Sequence, residues 1–172
     1  MKQPLLLLTC LLVIACKETV ITEPLIYDGP MREANNVEML YAEDNLVKTK
    51  MLADVVLEFQ DGDREFPKGI YIEFYNEDGQ LSSILKANQA HFSKTENLWR
   101  GWDNVEVKNI LNNEQLNTEE LFWKPDTEKI YTDKFVTIRL DKEVLYGKGL
   151  EAKQDFTSYT IKEPQGEFII ED

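Results

Sequence analysis

From Asn35 to about Phe168 the chain alternates Val, Ile, Thr, Phe, Tyr and Trp with charged residues, the period-2 signature of half-buried β-strands. No stretch keeps apolar residues at helical spacing for three turns. Turn signals recur at even intervals: Asp44-Asn45, Asp61-Gly62, Asp78-Gly79, Asn112-Asn113, Pro125-Asp126 and Asp141-Lys142, with a weaker one at Lys94-Thr95-Glu96. Between them lie predicted strands of ~12 residues, ~40 Å long at a strand's rise per residue. Ordinary strands are about half that.

The pattern also repeats. Leu85-x-Ala87-x-x-Ala90-x-Phe92 is echoed by Leu116-x-Thr118-x-x-Leu121-x-Trp123, more loosely by Leu145-x-Gly147-x-x-Leu150-x-Ala152, and earlier by Met51-x-Ala53-x-x-Val56. Each copy is followed by an alternating segment: Ile70-x-Ile72-x-Phe74, Val105-x-Val107, Val136-x-Ile138-x-Leu140 and Phe168-x-Ile170. An offset of about 30 residues predicts one hairpin per repeat and about four repeats. The step of three inside the motif breaks strict alternation, which a β-bulge restores by bending the strand. Bends at matching places curve the whole sheet. Ala53, Ala87, Thr118 and Gly147 then form a row of small residues, expected to leave space that larger side chains would fill.

Ahead of the strands stand Lys2 and an apolar run, Leu5 to Ala15. At roughly 11 residues it is well short of the ~20 that span a bilayer as a helix. It suits the apolar core of a signal peptide. Val13-Ile14-Ala15-Cys16 resembles the bacterial lipobox, in which small and aliphatic residues precede the cysteine that receives diacylglycerol, whereas Cys10 follows Leu8-Thr9. Acyl chains on Cys16 supply the membrane affinity the short run lacks, at about 0.8 kcal/mol per buried CH₂. The expected organisation is a signal peptide over 1–15, lipidated Cys16 and a polar tether over 16–34, and one β-domain over 35–172.

Charge narrows the function. The chain of 172 residues carries a net charge of −13, so nucleic acid, which is bound through Lys and Arg on phosphates, is not an expected partner. The two cysteines precede the β-domain and His91 is the single histidine, which leaves no disulfide framework and no Cys- or His-based metal site there. His91 beside Phe92 reads as a solvent-facing strand residue. Tyr27, Tyr41, Tyr71, Tyr75, Trp99, Trp102 and Trp123 are candidates for an apolar lining, each also explicable as strand packing. Gly147-Lys148-Gly149 lacks the spacing and following helix of a phosphate loop, and Asp61-Gly62-Asp63 lacks the other ligands of a calcium loop. No nucleophile–base pair stands out, so no enzyme activity, cofactor or metal is expected.

Three segments together resemble the LptC family, the membrane-anchored periplasmic component of the lipopolysaccharide-transport machine. They are Asp78-Gly79-x-Leu81-x-x-x-Leu85-x-Ala87, Glu114-x-Leu116-x-Thr118-x-x-Leu121-x-Trp123-x-Pro125, and Leu145-Tyr146-Gly147-Lys148-Gly149-Leu150-x-Ala152 with Asp155-Phe156-x-x-Tyr159. The resemblance covers most of Tyr41 to Gly166. It implies a single open-ended, curved β-jellyroll of long antiparallel strands, whose apolar interior carries lipid A acyl chains. The interior face expected to hold them is lined by Met51, Ala53, Ile72, Phe74, Leu85, Ala87, Val105, Leu116, Thr118, Val136 and Ile138. The implied partners are lipopolysaccharide, an inner-membrane LptB/LptF/LptG-type transporter and an LptA-type periplasmic bridge, met at the first and last strand edges. The implied location is the periplasmic face of the inner membrane, where a lipid anchor replaces the family's usual transmembrane helix. A structural envelope lipoprotein, with a β-domain that binds only proteins, is the alternative.

Overall fold

The computed structural model describes residues 27–166, so the apolar run, Cys16 and Phe168-x-Ile170 lie outside the described residues. The strands are β1 (Arg32–Glu43), β2 (Leu46–Glu58), β3 (Arg64–Phe66), β4 (Ile70–Tyr75), β5 (Leu81–Ala87), β6 (Gln89–Ser93), β7 (Leu98–Asn109), β8 (Glu114–Lys124), β9 (Lys129–Arg139), β10 (Val144–Lys153) and β11 (Tyr159–Gln165). All eleven join one antiparallel sheet, and the fold is all-β and jellyroll-like. The first strand opens at Arg32, ahead of the expected Asn35. Every turn named above joins two strands.

Six strands have the expected length: β1, β2, β7, β8, β9 and β10 run 10 to 13 residues. Elsewhere the chain breaks into short pieces. A turn at Pro67-Lys68, closed by the Gly69 N–H donating to Phe66 O at 3.2 Å, separates β3 from β4. Asn88 separates β5 from β6. As a result β2 pairs with β4 through Thr49–Leu52 and with β3 through Leu57–Glu58. β7 likewise pairs with β6 at its start and β5 at its end.

These breaks belong to a fold line crossing every long strand. Register slips lie between Trp102 and Val105 in β7, Thr118 and Phe122 in β8, and Lys148 and Leu150 in β10. Residues with left-handed backbone sit on it: Asn36 (φ 53°), Asp103 (62°), Asn104 (57°) and Gly149 (74°), types that tolerate this region best. The motif's step of three marks the line in each copy. Ala53 and Val56, Ala87 and Ala90, Thr118 and Leu121, and Gly147 and Leu150 are all buried, so the irregular residues between them return the chain to the inner face.

Folding along the line brings the two halves of the sheet's inner face together. Phe66, Ile72, Val107, Leu116, Ile130, Val136, Ile138, Leu150 and Phe156 have no exposure at all. Burying one such side chain contributes about 1.5–3 kcal/mol, and the cluster is continuous from Met51 to Phe156. Among the described residues the sheet does not close on itself: β1 pairs only with β2 and β11 only with β10. Two outer edges remain unpaired among the described residues.

Candidate lipid-binding site

All eleven residues expected on the interior face are there, at 0–8% exposure. Strand alternation puts them on one face and the fold line turns that face inward. Thr118 keeps a polar group inside because its hydroxyl donates to Phe135 O at 2.9 Å, which removes the cost of an unpaired buried hydroxyl.

Open space lies at a groove of about 690 Å³ between the β1–β2 hairpin and the 3-10 turn Pro125–Thr127 that joins β8 to β9. Its lining is apolar below and polar at the rim: Met39, Met51, Phe92, Trp99 and Trp123, with Arg64, Lys48, Asp126 and the Gln154 side chain around them. Its size suits a bound organic ligand or part of a larger one. Phe92, Trp99 and Trp123 form a run of rings, with centroids 4.7 Å and 5.8 Å apart. Phe66 lies 5.2 Å from Trp99, and Phe74 meets Trp123 edge-on at 5.0 Å. The two tryptophans thus separate the groove from the packed interior behind them.

A second opening, about 580 Å³, sits where β2 and β7 exchange partners, and Ala53, Ile70 and Ala87 reach it from inside while Tyr71, Lys86 and Glu106 rim it outside. Of the eleven interior residues, Met51 lines the groove and Ala53 and Ala87 border this opening. The other eight are covered by neighbouring side chains. The row of small residues leaves space at Ala53 and Ala87, which border the second opening, and none at Gly147. A Cβ on Gly147 would collide with Ile161 and stand 2.7 Å from Glu163 O, and one on Gly101 would stand 3.0 Å from Ala87 Cβ. Small size here lets β11 and facing strands approach closely.

The other aromatic candidates divide. Trp99 and Trp123 face inward and Tyr41 stands at the groove rim. Tyr71 and Trp102 lie on the outer face, under Lys86 and Arg100 at 5.5 and 5.0 Å. Tyr75 donates to Glu73 Oε2 at 2.6 Å, and that bond with Glu73 pushes its phenol up to about 12. Tyr27 is exposed. His91, partly exposed on β6, faces Asp63 at 3.4 Å.

Sequence reasoning missed three contributors. Arg64 at the groove rim lies over the Phe92 ring at 5.7 Å and 3.9 Å from Glu58; it lies on the short β3, next to the Pro67-Lys68-Gly69 turn, a legible signal that was overlooked. Gln154 lines the groove from the loop after β10, and Phe156, two residues on, packs into the core. Phe156 is fully buried and stacks on Tyr159 at 5.0 Å, and burial, then Glu114 and Glu143, hold the Tyr159 phenol above its ordinary value.

Among the described residues no group of three or more His, Cys, Asp or Glu is placed to hold a metal ion, and no helix is long and apolar enough to cross a membrane. The arrangement offers apolar contact with a polar rim. It can bind an amphiphile. No curated protein matches the chain. A family model described as lipopolysaccharide-assembly, LptC-related, matches residues 5–163, which takes in every strand through β10 and most of β11. The chain belongs to the LptC family, whose members act in lipopolysaccharide transport on the periplasmic side of the inner membrane.

Proposed function

We propose that this chain binds lipopolysaccharide by the acyl chains of lipid A and passes it from an LptB/LptF/LptG-type transporter to an LptA-type bridge. The observation that carries this reading is the groove: its floor of Met39, Met51, Trp99 and Trp123 adjoins the apolar interior, in a chain of the LptC family. Acyl chains gain about 25 cal/mol per Å² buried there. The phosphates of the head group stay in water, since a surface of net charge −13 does not attract them. Diacylated Cys16 holds the domain at the inner membrane, and strand addition joins the β1 edge to the transporter and the β11 edge to the LptA-type bridge. No bond is made or broken in the domain; the partner transporter supplies the energy.

A photo-crosslinker at Met51, inside the groove, is expected to capture lipopolysaccharide in cells, and one at Asn117, which lines neither opening, is not. Capture at both positions alike would mean surface adhesion and refute the reading. A second reading, a protein-binding envelope domain, draws support from the tight packing of the eight interior residues away from the openings. Absence of capture at Met51 would favour it.

A further inference from the structure

We propose that Gln154–Phe156 is a latch that locks Trp123 across the inner end of the groove, and that releasing it opens the way into the interior; this rests on the acyl-chain reading above. Gln154 has three bonds in three directions. Its Oε1 accepts from the Trp123 indole N–H at 2.8 Å. Its carbonyl accepts from the Ser83 hydroxyl, on the opposite half of the folded sheet, at 2.8 Å. Its N–H donates to Glu128 O at 2.8 Å, at the turn that forms the groove's far wall.

The next two residues extend the tie. Asn109, fully buried at the end of β7, donates through Nδ2 to Asp155 O and Phe156 O, each at 3.2 Å. The Phe156 ring goes inside with the backbone at φ 55°, a left-handed conformation rare for a bulky residue and persistent only where the surroundings hold it. Strained backbone, an indole bond and bonds to both halves of the sheet therefore meet in three consecutive residues. Trp123 is the ring between the open groove and fully buried Phe74, so fixing Trp123 fixes the barrier. Gln154 is a positioning residue for that ring.

The test is the uptake of cis-parinaric acid, a fluorescent fatty acid, by the full-length protein in stopped flow. Gln154→Leu removes the acceptor and Trp123→Phe the donor. Each is expected to raise the entry rate about fivefold, the scale of one net hydrogen bond. The double variant should be no faster than either single one, because both break the same bond. Gln154→Glu keeps an acceptor oxygen and should match wild type. Trp123→Phe, which keeps an aromatic ring, carries the test if Gln154→Leu does not fold. Wild-type rates throughout, multiplying effects in the double variant, or a Glu variant as fast as the Leu variant would overturn the latch alone. No uptake by wild type or any variant would overturn the acyl-chain reading and the latch with it.

Discussion

Phe156 stands in a backbone conformation that costs on the order of 1–3 kcal/mol for a bulky side chain. Complete burial of its ring offsets this by a similar amount, and Asn109 satisfies the carbonyls around it. Nothing in the run Asp155-Phe156-Thr157 announces such a residue, because a pattern of apolar and polar positions carries no φ angle. The inward placement of Met51, Ala53, Leu85 and Leu116 was legible for the opposite reason: strand geometry fixes which side chains share a face. Gly147 was legible as small, but its purpose was misread; the space beside it is filled by Ile161. At Cys16 the expectation is chemical. Feeding cells an alkyne fatty acid should label the wild type and leave Cys16→Ser unlabelled. Equal labelling of the two, or none of either, would contradict lipidation at this position.

The strands owe their bend to one feature, the step of three in the repeat. It is visible in the letters, and the fold line crosses β2, β8 and β10 where the repeat places it. The break between β3 and β4 was not legible from alternation, because the Pro67-Lys68 turn sets it; at β5–β6 the step of three, expected as a bulge, is a full break at Asn88. β1 spans Arg32–Glu43 with its outer side unpaired among the described residues, and β11 ends in Glu163-Pro164-Gln165 after a Lys162–Asp133 pair at 2.8 Å that ties it across β10 to β9. Long unpaired edges invite strand addition. Hydrogen exchange should find fast outward amides on both edges of the isolated protein. Adding the LptA-type bridge should slow those of β11 and leave β1 unchanged. Slowing of both, of β1 alone, or of neither would contradict the assignment of edges to partners.

At the scale of the molecule, a folded sheet whose two edges are unpaired among the described residues makes an apolar interior that begins at an open groove and continues as packed core. The face was legible in the sequence; the groove was not, because it arises from the β1–β2 hairpin, the Pro125–Thr127 turn and Gln154 meeting in space. Interior packing is tighter than an open conduit requires, which makes movement at the tryptophans part of the account. Lipid is proposed to be held by its acyl chains. Native mass spectrometry of the purified protein with lipid A, and with lipid A stripped of its acyl chains, tests it most directly. Lipid A should bind, and the deacylated sugar should form no complex. Equal binding of both, or binding of the deacylated form alone, would contradict it.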